Sequence, residues 1–508
     1  MPIETVLRPD VCWRVLDVPS RLRRAALFAV ACSAALRLSA QAPWIVWPPS
    51  AESCKPTSGD ATAVLERAWT AMGASDSIVE LTTSEIVSHN YESDRTYRPF
   101  ISFTTAHSTR LDPTTGVTRD SADDVQITDD HTTFVRSDSA WKESGPAWAA
   151  ADRFRALDPR IVVRAWRSAR AVKVVARCRY RDYDRLVLTR TGSYGPEKLY
   201  VDPKSGLPIK LDRVEPHYLW GQTHVEYVYA TWWIYGGVLT PTAATRLVDG
   251  DEEVSRTIGG ARRIAADSGA PIALPGEPTS TEVTTPIFMR PAPLDTGRLG
   301  AQSFILANRG FNEVVTLQRD TVWVLDATQG EERARADSAW IARLFPGRHP
   351  VRVVITDLAW PHVAGVRFWV ASGATIVSNE RSRRFLEAVV ARKWTLHPDK
   401  LSRSGKRTLS FVAVGDSLVR PGIRIYPIDG VGSEGALMAY LPADSVLWAS
   451  DYVQQLKRPA QYTNEVLAAT CRVGIVPERV VAEHQKLTPW STLTALVPGG
   501  CSGSPADG

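Results

Sequence analysis

Cysteine is scarce in this chain of 508 residues: there are 6, none in a Cys-x-x-Cys spacing, which argues against a zinc site built on thiolates. Long apolar runs are lacking too. The stretch Ala25 to Leu36 is too short to cross a bilayer comfortably, so no transmembrane span is expected in the mature protein. Charge of one sign is also missing. Lys and Arg number 60 against 55 Asp and Glu, for a net charge of +5, and Arg21, Arg23 and Arg24 fall in a segment expected to be removed. A polyanionic partner such as nucleic acid is therefore not expected. No glycine motif that cradles phosphate and no Gly-x-Ser-x-Gly elbow occurs.

What is present at the N-terminus has the order of an export signal. Arg21-Leu22-Arg23-Arg24 precedes the apolar stretch, and small residues follow at Ala40-Gln41-Ala42. A signal peptide over residues 1–42 is expected, with a periplasmic or extracellular destination. A lipid anchor on Cys32 is the lesser alternative, because Ala29 and Val30 make a poor lipobox. Of the four remaining cysteines, Cys471 and Cys501 are the pair expected to bond in an oxidising compartment.

One hydrophobic core rarely serves so long a chain, so two or three domains are expected. Residues 43–59, rich in proline, read as a linker. From Ala61 to Met72 the apolar residues Ala61, Val64, Leu65, Ala68, Trp69 and Met72 recur at helical spacing behind Asp60, an N-cap. The rest of residues 60–275 favours strands: Phe100 to Ser108, Ile161 to Trp166, Val172 to Cys178, Leu186 to Thr191, Lys198 to Val201 and Val225 to Trp233. With turns such as Asp202-Pro203-Lys204-Ser205-Gly206, this region resembles the curved antiparallel sheet of periplasmic lipoprotein-sorting and lipid-binding proteins. That resemblance implies a β-rich domain with one amphipathic helix. Aromatic residues gather on one strand, where Tyr227, Tyr229 and Thr231 would share a face. They suit either a groove for an apolar or acyl-containing small molecule or an ordinary sheet core.

Residues 276–302 read as a second linker, and beyond them strands and helices alternate as in α/β layers. Strands are expected at Phe304-Ile305-Leu306, Val314 to Leu317, Thr321 to Asp326, Val351 to Ile355 and Ala374 to Val377. Helices are expected at Glu331 to Leu344, after Gly365 and at Arg381 to Trp394. A tail follows from 495 to 508. The landmarks Gly310-Phe311-Asn312, Phe345-Pro346-Gly347, Thr356, Gly373-Ala374-Thr375, Tyr440-Leu441-Pro442, Asp451 and Thr488-Pro489-Trp490 come in the order found in metallo-β-lactamases. Residues 303–494 resemble that superfamily, which implies an α+β fold, an αββα sandwich of hydrolases.

Active members carry His-x-His-x-Asp-His between a threonine and a glycine. Matched onto this chain, Thr356 and Gly365 keep the frame, while Asp357, Ala359 and Pro361 replace three ligands and His362 alone remains. A further histidine position falls near Gly432 or Ser433, whereas Asp451 and His484 agree with the late aspartate and histidine. The site of three histidines is lost, and the other keeps three donors. The favoured reading is a noncatalytic or weakly active fold without a cofactor, able to bind an apolar or acyl-containing ligand. The alternative is a hydrolase of an ester, amide or thioester with one zinc ion on His362, Asp451 and His484, and with Asp357 as a fourth ligand or general base.

Overall fold

The computed structural model describes residues 53–496 except 74–77, 88–102, 113–114, 122–124, 129–131, 138–139, 147–154, 181–182, 193, 265–271, 277–290, 309, 407, 431–432, 434 and 455–460. The leader, Cys32, Gly432, Cys501 and the tail lie outside the described residues. Among the described residues, Ser53–Lys55 group with Cys178–Tyr180 and Tyr183–Asp184 in one small unit, and the others form a second. The small unit is closed by a Cys54–Cys178 disulfide, a pair the spacing of the cysteines had not suggested. Cys471 is disulfide-bonded as well.

The first domain is a curved antiparallel sheet. Strands Tyr183–Gly192, Gly195–Val201, Pro208–His217, Gly221–Tyr235, Val238–Val248 and Asp251–Ile264 follow one another, each paired with the next. Asp251–Ile264 then pairs with Ile78–Val87, from which a second meander continues through Phe103–Leu111 to Ala140–Pro146. The helix Ala61–Ala71 starts where expected, since the Asp60 carboxylate accepts the Thr62 and Ala63 amides at 2.9 and 3.1 Å.

One expected strand is a helix. Ile161 to Trp166 lie in Pro159–Arg167, so among the described residues the domain has a second helix beside Ala61–Ala71. Asp158 caps the Arg160 amide at 2.9 Å, and Pro159 sits in the first turn, where its missing N–H leaves no bond unmade. Ile161, Val162, Val163 and Trp166 are then buried, so tertiary packing outweighs the β-preference of the branched run. The expected aromatic face also changes. Tyr227 and Tyr229 are packed in the core, with the Tyr229 hydroxyl donating to the Ala156 carbonyl at 2.8 Å. Thr231 is exposed with a φ of 47°, which breaks the strand's alternation before it reaches that position.

The second domain is an α+β sandwich of two sheets. In the first sheet, Asp295–Arg298, Ser303–Asn308, Phe311–Gln318 and Thr321–Leu325 are antiparallel neighbours, and Val351–Val354, Thr375–Asn379 and Phe411–Val414 extend it in parallel. In the second, Leu418–Arg420, Ile423–Pro427, Leu437–Leu441 and Val446–Trp448 are antiparallel, Arg479–Ala482 joins Val446–Trp448 in parallel, and Gln485–Pro489 closes the edge. Val314, Trp323, Leu325, Val354 and Val377 of one sheet pack with Ile423, Ile425, Leu437, Ala439, Trp448 and Val481 of the other. Each such buried aliphatic side chain contributes roughly 1.5–3 kcal/mol, which makes a firm floor for the loops above.

The helix Glu331–Leu344 matches its expected bounds. The expected helix Arg381 to Trp394 is shorter. It runs from Arg383–Ala391 after a 3-10 turn, and Arg392 leaves the helix with a ψ of 129°.

Candidate metal centre

Parallel strands point their carboxyl ends to the same edge, and side chains just past those ends can meet. Here that rule gathers residues from both sheets. Asp326 follows Thr321–Leu325, Asp357 and His362 follow Val351–Val354, Asp451 follows Val446–Trp448, and Glu483 and His484 follow Arg479–Ala482. Backbone bonds tie these loops together: the Asp326 amide donates to Val354 at 2.8 Å, Leu437 to Thr356 at 2.8 Å, Ala327 to His362 at 2.9 Å, Glu483 to Ser450 at 2.8 Å and Asn312 to Glu483 at 2.8 Å. Asp326 and Ser450 have φ values of 72° and 53°, a conformation uncommon outside glycine.

Asp326 is the hub of the loops. Its carboxylate accepts the Thr356 amide at 2.8 Å, the Thr356 hydroxyl at 2.7 Å, His362 Nδ1 at 2.9 Å and Trp448 Nε1 at 3.1 Å. With Nδ1 held in this way, Nε2 of the fully buried His362 is aimed at Glu483, whose Oε2 is 3.3 Å away. His362, Asp451 and Glu483 each place one donor atom within 4.8 Å of the others. His484 stands at the rim, its Nε2 lying 3.5 Å from Glu483 Oε2 and 3.7 Å from Asp451 Oδ1. Its Nδ1 faces the Gly310 carbonyl at 3.0 Å, and Phe311 packs on the ring edge to face at 4.7 Å.

The electrostatics are those of a site short of positive charge. Burial pushes the Glu483 carboxyl well above the usual carboxylate range; His362 opposes the rise, while Asp451, Asp326 and Asp357 add to it. Burial also raises Asp451 against the pull of His362 and His484. Burial alone would lower the His362 imidazole, yet Glu483, Asp326 and Asp357 raise it well above its ordinary value.

His362 Nε2, Asp451 Oδ1 and both carboxylate oxygens of Glu483 are buried and make no hydrogen bond. Groups like these normally hydrogen-bond; here they face one another and His484 at 3.3 to 3.7 Å, an arrangement that a shared cation would satisfy. The spacing admits a cation: the three donors lie within 4.8 Å of one another, and His362 Nε2 is 3.3 Å from Glu483 Oε2.

Asp357 is placed differently from a free base. Its Oδ1 accepts the Ala359 amide at 2.7 Å, and its Oδ2 accepts the Tyr452 hydroxyl. Near the site of three histidines, the Ser433 hydroxyl donates to Glu465 and accepts the Gly430 amide at 2.9 Å. Among the described residues one other group of metal-binding type occurs, Asp212, His224 and Glu226 on the first sheet. There Lys210 pairs with Glu226 and His224 with Asp212, so the charges already have partners.

Sequence reasoning named Asp357, His362, Asp451 and His484. It gave neither Glu483 nor Asp326 a role in the site. Glu483 could have been suspected because it directly follows a strand whose next residue was already a candidate.

No family model matches the sequence, and no curated protein matches it. Among solved structures, the chain is similar to a metallo-β-lactamase from Pontibacter korlensis, with 15% identity over 42% of this chain and 100% of that one at a TM-score of 0.32. It is also similar to one from Hirschia baltica, with 12% identity over 40% of this chain and 96% of that one at a TM-score of 0.32. The DIM-1 metallo-β-lactamase gives 15% identity, 40% and 96% coverage, and a TM-score of 0.32. The resemblance is distant.

Proposed function

We propose that this is an exported protein whose second domain binds a single divalent metal ion through His362, Asp451 and Glu483, with His484 at the rim of the site, and whose hydrolytic activity is weak or absent. The observation that carries this reading is the convergence of buried donor atoms without hydrogen bonds. A mixed set of imidazole and carboxylate suits zinc or manganese. Export is supported by the leader and by the Cys54–Cys178 disulfide.

When bound, such an ion supplies Lewis acidity toward a carbonyl and makes a coordinated water more acidic. The rest falls to the chain. Asp326 fixes the orientation of His362, and Glu483 is closed off from solvent. Asp451 and His484, with side chains 28% and 33% exposed, form the side from which a substrate can approach. Asp357, with one oxygen on an amide and the other on a hydroxyl, is poorly disposed to take a proton. A lone ion without a free base is the reason for expecting slow chemistry.

Metal analysis of protein purified without chelator tests the reading. Close to one equivalent is expected in the wild type, with loss in both His362→Ala and Glu483→Ala and slow turnover of an activated ester. Two equivalents, or one that survives both substitutions, would reject it.

A further inference from the structure

The hairpin between Gly221–Tyr235 and Val238–Val248 parts from the ladder of its sheet before it reaches its turn. Pairing with Pro208–His217 stops at Val228, opposite Lys210, and pairing with Asp251–Ile264 stops at Ala243, opposite Thr257. The two arms remain paired with each other from Ala230 and Ala243 to Tyr235 and Val238. About six residues per arm, roughly 20 Å at the rise of a strand, therefore continue as a ribbon of two strands. The inner arm is anchored, since Val238 packs with Val79 and Leu81.

Among the described residues no strand pairs with the other side of the outer arm, which carries Trp233 and Ile234, 61% and 65% exposed. Neighbouring strand residues point to opposite faces, so the outer arm meets solvent at both, while Val238, Thr240 and Pro241 of the inner arm are buried. Among the described residues no other two large exposed apolar side chains are adjacent. Trp232 and Tyr235 flank them, half-buried. An edge of this kind invites association and is normally guarded by charge.

Charge is present beside the turn of the ribbon, and it is positive. The turn Gly236-Gly237 lies against Ala261–Arg263: a Cβ on Gly236 would come 2.4 Å from the Ala261 carbonyl oxygen. Arg263 donates to the Gly237 and Gly73 carbonyls at 3.4 and 2.8 Å. Arg262, 68% exposed, and Arg110, 43% exposed, share the one carboxylate of Glu80. An indole has an apolar body and a polar N–H, which suits the boundary between headgroups and acyl chains, and arginine suits lipid phosphate.

We propose that this ribbon docks the protein on an anionic lipid bilayer, with Trp233 and Ile234 entering the headgroup boundary and Arg262 and Arg263 meeting phosphate. Attachment is peripheral: no helix among the described residues is long and apolar enough to cross a membrane. The proposal is independent of the metal centre.

Flotation of the purified chain with vesicles of phosphatidylglycerol and phosphatidylcholine, and with phosphatidylcholine alone, is the test. The wild type is expected to float with the anionic vesicles. The double variant Trp233→Ser, Ile234→Ser should bind on the order of 30-fold less, with an unchanged melting temperature because both side chains are exposed. Arg262→Glu should weaken binding to anionic vesicles and leave binding to neutral ones as it was. The proposal is overturned by a wild type that floats no better than the double variant, or by binding that responds to Arg262→Glu alone. It is equally overturned if the double variant loses self-association in sedimentation while neither protein binds vesicles, since the edge would then serve a second copy of the chain.

Discussion

Replacing Glu483 with glutamine separates what this residue does with a metal from what it does without one. In the metal-free protein the side chain is wholly buried, neither oxygen makes a hydrogen bond, and against the one imidazole of His362 stand three carboxylates of its own sign, Asp451, Asp326 and Asp357. Leaving a buried polar group unsatisfied costs roughly 1–3 kcal/mol. Glutamine keeps the shape and removes the charge, so the metal-free variant should be the more stable by about 1–3 kcal/mol. For a domain of some 200 residues each kcal/mol moves the midpoint about 2–4 °C. With metal present the order reverses. A ligand at about 100 times its dissociation constant stabilises the wild type by about 2.7 kcal/mol, and the variant, lacking one donor, should gain little. The assay is thermal unfolding of chelator-stripped protein with and without Zn²⁺ or Mn²⁺, followed by circular dichroism. Equal metal-induced shifts in the two proteins would refute the reasoning. So would a metal-free variant less stable than wild type by more than about 1 kcal/mol, because Glu483 and His362 would then be a self-sufficient buried ion pair.

Two further outcomes follow from the same geometry. Asp326→Asn should lower metal affinity by about 10- to 100-fold in calorimetric titration by loosening His362; an unchanged affinity would remove Asp326 from the site. In the first domain, burial would raise the Glu215 carboxyl, but Arg213 and Arg246 hold it down to about 2. A depressed carboxylate stabilises the fold above its ordinary value near 4.5 and loses that contribution as pH falls toward 2. The stability difference between wild type and Glu215→Gln should thus shrink by about 3 kcal/mol over that range in urea unfolding, and a constant difference would contradict the pairing.

Legibility in the sequence followed the physics of each element. Glu331–Leu344 could be read because its apolar residues recur at helical spacing and Pro346-Gly347 follows. Pro159–Arg167 could not, because Ile161, Val162 and Val163 are as good in a strand, and only burial against the sheet decides. The strands of the second domain declared themselves as short β-branched runs between turns, which is why its layers were legible. The candidate site was half visible. His362 and Asp451 stand at landmarks in an ordered series, whereas Asp326 acts only through folding that brings residues 326, 356, 362 and 448 to one point. Thr231 illustrates the reverse error: strict alternation placed it beside Tyr229, and its positive φ turns it out to solvent. The Cys54–Cys178 bond joins positions separated by 124 residues, a distance at which spacing carries no pairing information.

The placement of the centre across both sheets bears on how the second domain assembles. Its donors lie at 362, 451 and 483, and the parallel pairs beneath them close only after long stretches of chain have been wound. Contacts so remote in sequence form slowly, so an intermediate with one sheet in place would own His362 and Asp326 but have nothing opposite them. Metal uptake during refolding should therefore mark the last event rather than the first, and its rate would serve as a clock for the meeting of the two halves.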